Sequence, residues 1–188
     1  MHRKDNLDAR LAACADIMTA ADLTEKNMKK AAELKDYINF AQVFKNDNPV
    51  HLEIGCGKGG FVTGMAKLHP NTNFIAVEKV SNVIITACES AKAEGLKNVH
   101  FINCPAEVLP RYIPEGGIER IYLNFSDPLP KLGYAAQRLT APRFLSLYKN
   151  ILKAGGEIWQ KTDNEDFFDF SLETYSQCGY SVLQVCRD

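Results

Sequence analysis

A glycine-rich turn preceded by an acid is the first feature of the sequence whose residue types point to chemistry. Glu53 stands two positions before Gly55, and Gly57 and Gly59 follow at alternate positions. Glycines in such a turn let backbone N–H groups approach a ligand without interference from a Cβ atom. The spacing that ends at Gly60 also matches a dinucleotide fingerprint, but an acid here suits the ammonium group of S-adenosylmethionine, which has no pyrophosphate. The turn therefore predicts a nucleoside cofactor and favours S-adenosylmethionine.

Further acids follow later strand-like segments. Glu78 lies about 20 residues after the turn, where an acid accepts hydrogen bonds from the ribose hydroxyls of either S-adenosylmethionine or NAD. Asp127 lies in a loop that Pro128 and Pro130 stiffen, and an aspartate beside a methyl donor can orient a nitrogen nucleophile through its N–H groups. Asp163 has two interpretations, a further acid at the same edge or the N-cap of the next helix.

These acids need elements that bring them together, and alternating strands and helices do so from residue 50 onward. Strands are predicted at 50–54, 73–78, 99–103, 120–125, 157–161 and 180–186, and helices at 61–68, 82–94, 106–112, 142–152 and 166–178. This alternation is typical of βαβ units, and predicts an α/β fold with a doubly wound, mostly parallel sheet. Ligands of such sheets bind at the carboxyl ends of the strands, where the acids lie.

The first part of the chain has a different pattern. We expect residues 1–48 to form an N-terminal helical extension and residues 49–188 to form the cofactor-binding domain. Apolar residues recur at helical spacing from Leu7 to Met18, and a second, polar helical run covers 24–34.

Composition excludes several classes of protein. The 188 residues are 46% hydrophobic and 24% charged with a net charge of -1, which is typical of a globular protein without a global basic field. No apolar run is long enough to cross a bilayer, and the charges near the N-terminus are not followed by the apolar region of a secretory signal. The six cysteines are scattered without a C-x-x-C pair, which favours reduced thiols in the cytoplasm and no metal site.

Several motifs together resemble a known family. Residues 50–180 are similar to bacterial tRNA (guanine-N7)-methyltransferases, which are class I, Rossmann-like, S-adenosylmethionine-dependent enzymes. The stretches that carry the resemblance are Asn46-Asp47-Asn48-Pro49, Glu53-Ile54-Gly55-Cys56-Gly57-Lys58-Gly59, Phe125-Ser126-Asp127-Pro128, Arg138-Leu139-Thr140 and Lys161-Thr162-Asp163-Asn164, with Leu7-Asp8-Ala9-Arg10-Leu11 near the start. The resemblance implies methyl transfer to guanine N7 in tRNA, with tRNA as the partner and without metal or membrane.

The resemblance also assigns roles to individual residues. It implies that Asp127 is catalytic and that Lys131 and Asp163 bind the substrate nucleotide. The cofactor-binding residues that it implies are Glu53, Gly55, Gly57, Gly59, Glu78, Ala106 and Asp127.

The sequence departs from the family pattern at four places. Leu129 stands where the family has Trp, and Pro105 stands where it has an acid, which Glu107 would replace from two positions later. Residues 132–137 replace a basic run that would contact phosphates, so that only three basic residues remain in this region, namely Lys131, Arg138 and Arg143. The chain ends after the sixth predicted strand, where the family continues through one more strand and a substrate-holding segment.

These departures keep other functions open. One alternative is a catalytically degenerate relative that binds the cofactor or a partner without methylating tRNA. A second is an NAD-dependent oxidoreductase, which the lack of a His or a Tyr–Lys pair at a strand end disfavours. The protein is expected to be a monomer or a homodimer that covers the exposed sixth strand.

Overall fold

The computed structural model describes residues 3–22 and 24–187. These residues form α1 (Leu7–Ala12), β1 (Met18–Ala20), α2 (Met28–Glu33), α3 (Phe40–Phe44), β2 (Val50–Ile54), α4 (Gly60–Leu68), β3 (Asn73–Val77), α5 (Ser81–Ala93), β4 (Val99–Asn103), the 3-10 helix η1 (Ala106–Val108), α6 (Leu109–Tyr112), β5 (Ile118–Asn124), the 3-10 helix η2 (Leu132–Gln137), α7 (Pro142–Ile151), β6 (Leu152–Lys161) and α8 (Glu165–Gln177). None of the helices in the described ranges combines the length and apolar character that crossing a membrane requires.

The strands form one sheet in the order β1-β4-β3-β2-β5-β6, and every pair is parallel. Parallel pairing places the carboxyl ends of all strands at one edge, which we call the carboxyl edge. The order reverses beside β2, whose neighbours are β3 and β5, and such a reversal is where ligands of open α/β sheets bind. The predicted α/β, doubly wound, parallel architecture is confirmed.

The sheet separates two hydrophobic clusters. Side chains of one strand point alternately to opposite faces, so that in β3 Ile75 and Val77 join one cluster while Phe74 and Ala76 join the other. The helices α2, α3, α6, α7 and α8 cover the first face, and α1, α4 and α5 cover the second. Burial of both faces explains why β3 is continuously apolar from Phe74 to Val77.

The edge strand β1 corrects the helix predicted up to Met18. The helix ends at Ala12, and Met18 pairs with Phe101 of β4. The backbone N–H of Phe101 donates to the Ile17 carbonyl at 2.8 Å, and the Thr19 hydroxyl lies 2.9 Å from Nε2 of His100. Tertiary pairing with β4 overrides the local helical spacing.

The strand predicted at 180–186 is also wrong. Residues 180–187 belong to no strand, and the apolar side chains of Val182, Leu183 and Val185 are exposed. In the described chain β6 pairs only with β5, so the alternating pattern of this segment has no ladder to join.

A smaller difference concerns the residue at which β6 begins. The strand predicted at 157–161 begins earlier, at Leu152, so the pair Gly155-Gly156 lies inside β6. The register against β5 shifts at this point, between the pairs of Ile118 and Arg120, and such an irregularity accommodates glycines within a strand.

Candidate cofactor and substrate site

Glu53 at the end of β2 is a buried carboxylate with an unused oxygen. The residue is only 3% exposed, and its Oε1 accepts a hydrogen bond of 3.1 Å from Nδ2 of Asn124 on β5. Its Oε2 has no partner in the described structure. Desolvation raises the pKa of Glu53 from 4.5 to about 7, although the hydrogen bond from Asn124 and the polar backbone of Val62 nearby oppose the shift. A buried acid with a free oxygen is a suitable acceptor for a cationic ligand.

The turn after Glu53 is shaped by its glycines. The backbone N–H groups of Gly55 and Cys56 both donate to the Val77 carbonyl, at 2.8 and 2.9 Å, which fixes the turn to β3. A Cβ atom on Gly55 would meet nothing within 4 Å, so this side of the turn is open to a ligand. At Gly59, where φ is +83°, a Cβ atom would lie 2.6 Å from that of Ala87. Only glycine allows α4 to begin this close to α5.

Glu78 lies half-buried just beyond β3. Its Oε1 accepts from the backbone N–H of Val80 at 2.9 Å, which orients the carboxylate at the carboxyl edge. Its carbonyl oxygen accepts from Nδ2 of Asn103, and Oδ1 of Asn103 accepts from the Ser81 hydroxyl at 2.7 Å. Asn103 therefore joins the ends of β3 and β4 to the start of α5, a role that the sequence did not suggest.

The segment after β4 shows that Glu107 has another partner. Ala106 is buried at the start of η1, and Pro105 precedes it as the N-cap residue. The carboxylate of Glu107 forms an ion pair of 3.0 Å with Arg143 on α7. Glu107 is thus engaged with Arg143, which argues against its replacing the acid that the family has at position 105.

The loop of residues 125–131, which we call the β5 loop, holds Asp127 at the carboxyl edge. Phe125 and Leu129 have positive φ values of 49° and 45°, which non-glycine residues rarely adopt. The N–H of Phe125 donates to the Lys161 carbonyl at 2.8 Å, and the N–H of Leu129 donates to Oδ1 of Asp127 at 3.1 Å. Asp127 itself is exposed, so its carboxylate can reach a ligand above this edge.

The three basic residues of this region have different surroundings. Arg138 is buried at 7% exposure and donates to two carbonyl groups of the β5 loop. Arg143 pairs with Glu107. Lys131 is exposed and forms no ion pair within the described chain. Only Lys131 is therefore available in this region for a direct phosphate contact.

The structure of residues 162–164, which we call the β6 loop, shows whether Asp163 is the N-cap of the next helix or a further acid at the carboxyl edge. Oδ1 of Asn164 accepts from the N–H of Phe167 at 2.8 Å, so Asn164 is the N-cap of α8. Asp163 stays exposed at the carboxyl edge. Because the carbonyl of Lys161 binds the backbone of Phe125, the β5 and β6 loops are neighbours.

The carboxyl edge therefore collects the ends of five consecutive strands of the sheet. Acids follow or end β2, β3, β5 and β6, and Ala106 follows β4. The described residues contain no group of His, Cys, Asp or Glu that could hold a metal ion. The arrangement is suited to binding a nucleoside with a cationic group and positioning a second molecule beside it.

Comparisons with known structures agree with this fold. The precorrin-6y C5,15-methyltransferase of Geobacter metallireducens is similar with a TM-score of 0.56 at 15% identity. The similarity covers 96% of this chain and 78% of that one. It shows a shared fold.

Sequence comparisons identify the family. Residues 47–184 match the family model described as "Putative methyltransferase". The tRNA (guanine-N(7)-)-methyltransferase of Alkaliphilus oremlandii is 43% identical over 175 residues, which cover 87% of this chain and 83% of that protein. That of Geobacillus thermodenitrificans is 47% identical over 147 residues, which cover 78% of this chain and 68% of that protein. These matches confirm the resemblance seen in the motifs, and the chain belongs to the tRNA (guanine-N(7)-)-methyltransferase family.

Proposed function

We propose that this protein transfers a methyl group from S-adenosylmethionine to N7 of a guanine in tRNA. The observation that carries the proposal is the buried Glu53 carboxylate with its unpartnered oxygen, beside an open glycine turn, in a chain of this family. The bound cofactor supplies an electrophilic methyl group on a positively charged sulfur.

The residues of the carboxyl edge fit such a cofactor. Oε2 of Glu53 would accept from the ammonium group of the methionine part, because it is buried and lacks another donor. The open space at Gly55 leaves room for the ligand along the turn, which continues through Gly57 and Gly59. Glu78 would accept from the ribose hydroxyls. Ala106 would line the nucleoside pocket without offering a charged group.

Guanine N7 needs positioning more than acid–base chemistry. Its lone pair is free, so methyl transfer would form the N7–carbon bond as the carbon–sulfur bond breaks, with the positive charge ending on the guanine ring, and would require no proton to leave. In our proposal Asp127 contacts both ligands, and its carboxylate holds the polar N–H edge of the guanine so that N7 faces the methyl group in line. Lys131 would bind a phosphate and Asp163 the nucleotide, both from exposed positions beside Asp127.

We also propose the division into an N-terminal extension (1–48) and a methyltransferase domain (49–188). A cytoplasmic location is part of the proposal and is supported by the cysteines. Four of the six, Cys14, Cys56, Cys88 and Cys104, are buried as free thiols, and such thiols persist in a reducing compartment.

Calorimetric titration followed by a methyl-transfer assay tests the function. The protein is titrated with S-adenosylmethionine and with S-adenosylhomocysteine, and then incubated with unmodified tRNA at low salt. Mass spectrometry of the digested tRNA measures 7-methylguanosine. We expect binding of both ligands and formation of this nucleoside.

Two variants make the assay specific for the site. Asp127→Asn should lower the rate of transfer by about 100-fold or more, because positioning contributes at least this much. The matched control is Glu115→Gln, an exposed acid before β5 at the opposite edge, which should keep the wild-type rate. Cofactor binding without transfer would support the degenerate alternative, and failure to bind the cofactor would refute the assignment of the glycine turn.

A further inference from the structure

Arg138 is turned toward the protein, although it directly follows the segment where the family has its basic run. Its Nε donates to the carbonyl of Pro128 at 2.8 Å, and its Nη2 donates to the carbonyl of Leu129 at 3.2 Å. Its guanidinium carbon lies 4.4 Å from the centre of the Phe170 ring. The side chain therefore connects the β5 loop to α8.

This connection also involves the helix that follows the β6 loop. Phe170 lies on α8, and α8 begins immediately after the β6 loop, which carries Asp163. A second contact with α8 lies nearby in sequence. The hydroxyl groups of Thr140 and Ser171 are 2.8 Å apart, and both residues are buried. Arg138 thus links the β5 loop, which carries Asp127, to the helix that follows the β6 loop.

The β5 loop needs such a support. Leu129 has a φ of 45°, a conformation that is strained for a non-glycine residue and persists only when its surroundings hold it. A guanidinium group offers several N–H donors in a fixed plane and can stack on an aromatic ring at the same time. A lysine carries the same charge but has neither property.

We propose that Arg138 is a positioning residue for methyl transfer and does not bind tRNA phosphates. By holding the carbonyls of Pro128 and Leu129 against α8, it fixes the direction of the Asp127 carboxylate. This role rests on the proposed function.

Kinetics of three variants test the role. Arg138→Lys keeps the charge, Arg138→Gln removes it, and Phe170→Leu leaves the arginine but removes the ring on which it stacks. A matched control is Arg120→Lys, because Arg120 also stacks on a ring, 4.1 Å from the centre of Trp159, and pairs with Glu157 away from the β5 loop. For each variant, kcat, the KM for tRNA and the salt dependence of tRNA binding are measured.

A positioning role predicts that both Arg138 variants lose kcat by about 10- to 100-fold, because small displacements of a reacting group have effects of this size. Phe170→Leu should show a smaller loss in the same parameter, and Arg120→Lys should show none. The KM for tRNA and the salt dependence should remain as in the wild type. If Arg138→Lys keeps the wild-type kcat, while Arg138→Gln raises KM and reduces the salt slope by about one unit, Arg138 is a phosphate ligand and the proposal is wrong.

Hydrogen exchange separates this proposal from the proposed function. The amides of residues 125–138 should exchange faster in Arg138→Lys than in the wild type, without ligand and whether or not the protein methylates tRNA. Unchanged exchange in this segment would overturn the positioning role even in an active enzyme. If the wild type does not methylate tRNA but residues 125–138 still exchange faster in Arg138→Lys, only the proposed function is contradicted. Arg138→Lys retains the positive charge and Phe170→Leu retains an apolar side chain. These two variants therefore still test the proposal if Arg138→Gln fails to fold.

Discussion

Replacing Glu53 by glutamine should remove a loss of stability that the wild-type protein undergoes as the pH rises, and should weaken the affinity for S-adenosylmethionine. The folded chain holds this carboxyl group out of water, with one hydrogen bond from Asn124 and one oxygen without a partner. Because burial raises its pKa from 4.5 to about 7, the folded state favours the protonated form. The unfolded state releases its proton first, so the wild-type protein loses stability as the pH rises from about 4.5 to 7.

The size of this effect follows from the two pKa values. The difference between these two pKa values lowers the free energy of unfolding by about 3 kcal/mol once the carboxyl group is ionised in both the folded and the unfolded state. Between pH 5 and pH 8 the free energy of unfolding falls by about 2.5 kcal/mol. Glutamine does not titrate, so it removes this loss. A carboxylate that binds an ammonium group contributes about 1.5 to 3 kcal/mol, so affinity for the cofactor should fall by about 10- to 100-fold.

Urea unfolding of both proteins at pH 5 and pH 8 measures the effect. The quantity to compare is the change in the free energy of unfolding between the two pH values, because contributions of all other groups, and the fixed cost of a buried amide, cancel between the variants. Glu115→Gln, at an exposed position, should leave this change as in the wild type. If wild type and Glu53→Gln show the same pH dependence, the carboxyl group does not titrate near 7 and the reasoning fails.

Three further outcomes are expected. Gly59→Ala should lower the free energy of unfolding in urea by about 2 to 4 kcal/mol, because its Cβ atom would clash with α5 and its φ is positive. Gly57→Ala also has a positive φ but open space around its Cβ atom, so it should cost about 1 kcal/mol. Equal losses in the two variants would contradict this prediction. Burial lowers the pKa of His100 to about 4, so wild type should lose about 2 kcal/mol relative to His100→Gln between pH 7 and pH 5. Iodoacetamide should modify Cys186 in the folded protein and reach the four buried cysteines only after unfolding, as peptide mass spectrometry can show.

The central sheet was predictable because its strands are specified locally. In β2 to β5, segments of five to seven residues that are mostly buried are bounded by turns. The two wrong predictions concern the edges. Residues 18–20 form a strand because of β4, and residues 180–186 have strand-like alternation but no partner. Strand formation at an edge depends on a neighbour that local pattern does not reveal.

In the candidate site, residue types were predictable and their hydrogen bonds were not. The acids at the strand ends follow from the fold, and the structure places Glu53, Glu78, Asp127 and Asp163 along one edge. Which of two adjacent polar residues caps a helix depends on backbone angles, so the choice of Asn164 over Asp163 was open. The inward direction of Arg138 depends on carbonyl groups of a loop ten residues earlier. The sequence of a motif does not show whether a charged side chain in it points toward the protein or toward solvent.

The edge strand β1 has a consequence for the order in which the chain folds. Thr19 and His100, which join β1 to β4, are 81 positions apart in sequence. During synthesis, residues 18–20 leave the ribosome long before their partner exists, so the first strand of the chain must join the sheet after β4 has formed. Contacts of such long sequence separation are entropically expensive to close and form slowly. Docking of β1 should therefore be a late and separable step, and the same three residues should be the first part of the sheet to open.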